Sequence, residues 1–184
     1  MNRRAFLGAA ALFPVLRWPG RIPPLAVRAG EARYLVLPAS GLSFGRGQGS
    51  QVYIGTPELG RRISRKHFRI EITPKGARVL DHGSKNGTTL NGRPLLGTTP
   101  LAGNEMLRVA RALTFDTHLI GARSGRVGAV LLTRPGGIGF IVLNEDASLG
   151  GGPLRLFQGR GMRLEFSGDG YALTHEGGPQ LSVA

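Results

Sequence analysis

The sequence predicts an all-β fold: an antiparallel β-sandwich followed by a second, degenerate β unit. Three observations point there. Apolar and polar residues alternate along 68–72, with Phe68, Ile70 and Ile72 on one side and Arg69 and Glu71 on the other, as in a half-buried strand. Thirty Gly and twelve Pro in 184 residues supply the turns that a fold of short strands needs. Short β-rich runs are separated by turn signals, among them Asn91-Gly92, a pair that closes tight hairpins. With 41% hydrophobic and 19% charged residues the composition is globular. The chain can bury one good core or two small ones.

Residues 1–22 stand apart. Asn2-Arg3-Arg4-Ala5-Phe6-Leu7 and the apolar run to Leu16 read as a twin-arginine export signal, and that run is too short to span a bilayer. Val27-Arg28-Ala29 has a small-residue cleavage pattern, but cutting there would remove the start of the first strand. A plain tail, or a start codon placed too far upstream, is the equal alternative. A cytoplasmic protein and an exported one therefore both stay open.

From there the elements follow in order. Residues 25–37 read as two strands around the turn Ala29-Gly30-Glu31, and Tyr34, Leu35, Val36 and Leu37 form a core-filling β run. Residues 42–44 are the next strand, ending at Gly45-Arg46. The glycine-rich 47–50 lacks the Lys and the spacing of a nucleotide phosphate loop and simply turns the chain. A short strand at 52–54 precedes the polar loop 64–67, and the alternating strand follows that loop. A Pro-Lys-Gly turn at 74–76 leads into a strand at 78–80. The chain reverses at 84–87 and again at Asn91-Gly92, and Ala102-Gly103-Asn104-Glu105 turns it into strands at 107–109 and 113–119.

Two polar loops, both rich in donors and held by short strands, have the geometry of a small anion site. Four motifs lie in order: Gly45-Arg46, Ser64-Arg65-Lys66-His67, Ser84-Lys85-Asn86-Gly87-Thr88 and Asn91-Gly92. Together they resemble the forkhead-associated (FHA) domains, whose pattern is Gly-Arg, Ser-x-x-His, Ser-x-Asn-Gly-Thr and Asn-Gly. The resemblance implies an FHA/SMAD-like sandwich over residues 23–120 that binds phosphothreonine peptides through the loops at one end. The family often carries an Asp shortly before the strand at 52–54, where Ser50 and Gln51 stand here. That Asp is not a phosphate contact, so the change is expected to alter loop order more than binding.

The C-terminal third holds a degenerate repeat. Residues 28–37, RAGEARYLVL, align without a gap with 134–143, RPGGIGFIVL, and 69–72 resemble 163–166. Residues 121–184 are therefore expected to form a second FHA-like β unit. Gly151 stands where the first copy has Arg46, and both serine motifs are missing. A packing or partner role is the expectation for that unit.

The chemistry suits a phosphate ester. A phosphothreonine brings between one and two negative charges and three strong acceptor oxygens, and a guanidinium can bind two of them at once. Arg46 is the first candidate for that role. Ser64 offers a hydroxyl donor, Arg65 reaches phosphate or peptide, and Lys85 adds charge beside them. Asn86 can both donate to and accept from the backbone of an extended peptide. The resemblance gives His67 a bracing role between the loops rather than a ligand contact. Gly87 permits its turn, and with Gly45, Asn91 and Gly92 it supports the binding loops structurally.

Other classes find little. With no Cys, disulfides, thiolate metal sites and cysteine nucleophiles are excluded. His67, His82, His118 and His175 show no metal-ligand spacing, and no nucleophile elbow, Walker loop or kinase signature occurs. Neither an enzyme nor a cofactor is expected. Twenty-four basic against 11 acidic residues leave a net charge of +13, which attracts phosphate on any carrier. Arg is scattered rather than clustered, so nonspecific polyanion binding is secondary. No nucleic-acid partner and no stable membrane insertion are expected. The expected partner is a threonine-phosphorylated protein, a kinase or a kinase substrate, which makes the chain an adaptor in serine/threonine-kinase signalling. The alternative is a scaffold of the same fold that binds partners independently of phosphate, as in a secretion or envelope assembly.

Overall fold

Two β-sheets pack face to face, and their strands follow from the patterns above. The computed structural model describes residues 22–29, 32–47, 49–73, 75–121, 126–144, 154–156, 162–167 and 170–175. The smaller sheet is built from β3 (Gly41–Gly45), β4 (Val52–Tyr53), β5 (Phe68–Thr73), β6 (Gly76–Asp81) and β9 (Thr99–Pro100), in the order β4-β3-β5-β6-β9. The larger contains β1 (Leu25–Ala29), β2 (Ala32–Pro38), β7 (Thr88–Leu90), β8 (Arg93–Pro94), β10 (Met106–Val109), β11 (Leu113–Gly121), β12 (Val127–Thr133) and β13 (Ile138–Leu143). Its order is β1-β2-β13-β12-β11-β10-β7-β8. Both sheets are mixed, because β3 runs parallel to β4 and β2 parallel to β13.

The alternation in β5 does what its period requires. Phe68, Ile70 and Ile72 are buried while Arg69 and Glu71 are not. Phe68 stacks on Phe44 of β3, its register partner, with ring centroids 4.7 Å apart. Phe140 of the larger sheet meets Phe44 edge-on at 5.5 Å and Phe115 of β11 at 6.0 Å. These four rings tie the two sheets together through a common core.

The sequence reading places residues 121–184 in a second unit, and β12 and β13 depart from that. They are hydrogen-bonded into the larger sheet between β11 and β2. Val130, Leu132, Phe140 and Val142 enter the same core as Leu35 and Leu37 of β2. Ala129, Ile141 and Leu143 join Val27, Tyr34 and Val36 in a second cluster, on the opposite face because successive side chains alternate. The likeness between 28–37 and 134–143 has a physical basis in this. β2 and β13 are parallel neighbours, paired from Arg33↔Ile138 to Pro38↔Leu143. Strands buried on both faces read as near-continuous apolar runs. Further along, β14 (Leu154–Leu156), β15 (Met162–Ser167) and β16 (Gly170–His175) form an antiparallel sheet of their own.

Sequence reading missed β8 and β9, each two residues long, and the 3-10 turn Gly60–Arg62. The tail read as a signal or leader lies, but for Ile22, outside the described residues. Among the described residues no helix is long and apolar enough to cross a membrane. The β2–β3 turn is pinned to the end of β13 by a 3.3 Å hydrogen bond between Ser40 Oγ and Asn144 Oδ1. The start of β13, the start of β2 and the end of β3 therefore share the opposite end of the sandwich. That end carries the polar loops.

Candidate functional site

The site begins where β3 runs out. Past Gly45 the chain lies against the loop at 64–65: Arg46 N–H donates to the Ser64 carbonyl (3.1 Å) and Gly47 N–H to that of Arg65 (3.3 Å). A Cβ on Gly45 would sit 2.1 Å from the Arg65 carbonyl oxygen, a distance no side chain tolerates. Glycine is thus what lets the Arg46 backbone and the Ser64 loop close on each other.

His67 holds the second loop to the first. It is fully buried. Ser64 N–H donates to its Nδ1 (2.9 Å), and its Nε2 lies 3.2 Å from the Gly87 carbonyl. A backbone N–H can only donate, so Nδ1 is the acceptor and the ring proton sits on Nε2, from which it donates to Gly87. Burial lowers the His67 pKa, outweighing the Gly87 bond and the nearby Asp81 charge, which favour the cation. The Gly87 carbonyl also accepts from Ala110 N–H at 2.9 Å, which joins the β10–β11 turn to the same brace.

The second loop is shaped by Asp81, the last residue of β6. Its carboxylate accepts from Ser84 N–H (2.6 Å), Ser84 Oγ (2.7 Å) and Thr88 Oγ1 (2.5 Å). Burial pushes its pKa up, but these hydrogen bonds together outweigh burial and hold it below the ordinary carboxylate value. Two further bonds cross between the loops: Lys85 N–H donates to Ser64 Oγ (3.0 Å), and Asn86 Nδ2 to the Arg62 carbonyl (2.9 Å).

Between the loops lies an open cleft lined by Arg46, Arg61, Ser64, Arg65, Lys66 and Lys85, together with Gly49 and Gly83. Five of these side chains are cationic and none is acidic. Both ion pairs among the described residues go to Glu71, away from the cleft. Arg46 Nε is buried and has no hydrogen-bond partner, a costly state for a charged group. Such a surface can do one thing well, which is to bind a compact, multiply charged anion with hydrogen-bond acceptors.

Of the residues singled out in the sequence, Arg46, Ser64, Arg65 and Lys85 line this one cleft. Asn86 stands beside Lys85 with its amide engaged to Arg62. Gly45 and His67 lie beneath the loops, and Gly87 has φ +71°. Asn91 and Gly92 form the β7–β8 turn with φ of +50° and +80°. Asn91 Oδ1 accepts from Met106 N–H at 2.9 Å, so this pair braces β7 against β10. Arg61 and Lys66 were missed. Lys66 occupies a variable position of the Ser-x-x-His motif, and Arg61 reaches the cleft through the Gly60–Arg62 turn, which no periodicity announces.

Residues 42–110 match the family model of the FHA domain. The FhaA FHA domain, solved in complex with the intracellular domain of Rv3910, is 31% identical over 47% of this chain and 90% of its own, with a TM-score of 0.34. Residues 42–110 form an FHA domain. A domain from a study of phosphothreonine-dependent FHA interactions is 27% identical over 48% of this chain and 88% of its own (TM-score 0.34). An Arabidopsis thaliana FHA domain solved in solution is 26% identical over 48% and 78% (TM-score 0.36). The comparison with curated proteins finds no significant match. FHA domains are interaction modules rather than enzymes.

Proposed function

We propose that this FHA domain is a phosphothreonine-dependent protein–protein interaction module, an adaptor that docks a protein phosphorylated by a serine/threonine kinase. The observation that carries the reading is the convergence of Arg46, Ser64, Arg65 and Lys85 on one cleft that no carboxylate lines among the described residues. Arg46 grips two phosphate oxygens through its guanidinium, Ser64 Oγ donates to a third while accepting from Lys85 N–H, and Arg65 and Lys85 supply charge. Asn86 pairs with the peptide backbone through the amide oxygen left over from its bond to Arg62. His67 touches no ligand and sets the spacing of the two loops.

Fluorescence anisotropy with a phosphothreonine peptide and its unphosphorylated twin tests this. The phosphopeptide is expected to bind and the twin to fail. Arg46→Ala removes a charge-assisted contact of about 1.5–3 kcal/mol, so affinity should fall roughly tenfold to a hundredfold. Equal binding of the two peptides would instead support a scaffold that ignores phosphate.

A further inference from the structure

A second cleft opens beside the first, at the same end of the sandwich. It has a volume of ≈ 300 Å³, and Leu35, Ile54, Ile138 and Phe140 line it with Arg33 and Arg134. Both arginines are exposed, and among the described residues no Asp or Glu lines the cleft. Ile54 lies within the span matched by the family model, whereas Arg33, Arg134, Ile138 and Phe140 fall outside 42–110. One wall of the cleft therefore comes from β2 and the β12–β13 turn, outside that span. Its rim is shaped by the β12–β13 turn, where Gly137 N–H donates to the Arg134 carbonyl (3.3 Å). A Cβ on Gly137 would meet Arg134 Cδ at 2.8 Å, so the arginine stem is folded back over the turn.

The two clefts meet at Arg46. That residue lines the phosphate cleft, and its Cβ lies 3.1 Å from where a Cβ on Gly55 would stand, while Gly55 lines the second cleft. An extended peptide leaving Arg46 on this side passes directly onto apolar walls edged by two guanidinium groups that have no ion-pair partner among the described residues. Building on the phosphothreonine reading, we propose that the second cleft takes a large apolar side chain and a neighbouring carboxylate from the same phosphopeptide. An acidic–hydrophobic flank then selects the partner. The apolar side chain fills the pocket against Phe140 and Ile138, and the carboxylate pairs with Arg33 and Arg134.

The test uses the full chain and a set of phosphothreonine peptides. One has alanine flanks; the others carry a Glu-Leu pair two to four residues before or after the phosphothreonine. A Glu-Leu flank on one side should tighten binding about tenfold, the size expected for an exposed pair of charge-assisted contacts plus partial burial of a leucine. In the double variant Arg33→Gln, Arg134→Gln that gain should vanish, with affinity for the alanine-flanked peptide unchanged. Equal affinity for every flank, or a gain that survives the double variant, overturns the inference and leaves the phosphothreonine reading standing. Failure of every phosphopeptide, alanine-flanked included, overturns both.

Discussion

Protonating His67 is expected to loosen the brace between the two loops, and the structure sets the sign. The neutral ring accepts from Ser64 N–H at Nδ1 and faces the Gly87 carbonyl from Nε2. Adding a proton at Nδ1 sets two donors against each other and leaves a buried cation. The folded pKa lies below the ordinary histidine value, first because of burial. Below about pH 6.5 the unfolded state thus holds more protons than the folded one. Stability is full above that pH and falls as pH drops toward the folded pKa, with a slope approaching about 1.4 kcal/mol per pH unit. His67→Gln cannot titrate there and forfeits one of the two bonds, a loss of about 1–3 kcal/mol at pH 7.5. Urea denaturation of both proteins at pH 7.5, 6.5 and 5.5 isolates the effect, because His82 and Asp81, whose pKa values are also lowered, titrate in both. The gap between wild type and variant should narrow from pH 7.5 to 5.5, by at most about 1.4 kcal/mol. A gap that stays constant or widens on acidification would refute the tautomer assignment and the bracing role together.

Four other perturbations follow from the structure. Gly45→Ala drives a methyl toward the Arg65 carbonyl, 2.1 Å away, and should cost about 3 kcal/mol in urea denaturation while weakening phosphopeptide binding. Arg111→Gly relieves a non-glycine residue at φ +57° in the β10–β11 turn and should add about 1 kcal/mol, seen as a rise in Tm of roughly 2–4 °C. Phe140→Ala removes the ring that contacts both Phe44 and Phe115 and should cost about 3–5 kcal/mol. A chain ending at residue 120 loses β12 and β13 from the middle of the larger sheet and is expected to be insoluble. A soluble 23–120 fragment with a sharp thermal transition would restore the two-unit organisation.

Much of the molecule was legible in one dimension because the governing forces act between near neighbours. The two-residue period of Phe68, Ile70 and Ile72 sets their burial whatever lies across the sheet. The Asn91-Gly92 pair tolerates the positive φ angles that its turn demands. Arg46, Ser64 and Lys85, which stand out by residue type and motif spacing, line one cleft. What remained was decided by partners far away in the chain. β13 reads as an apolar run that any two-sided position would satisfy, and it is the pairing of β12 with β11 and of β13 with β2 that draws residues 127–143 into the sandwich. Arg61 and Lys66 join the cleft because loop backbones cross, and the second cleft exists because β2, the strand β4 region and the β12–β13 turn end at one level. Side-chain alternation is written into consecutive residues, whereas register and the meeting of loops depend on which distant surfaces exclude water from each other.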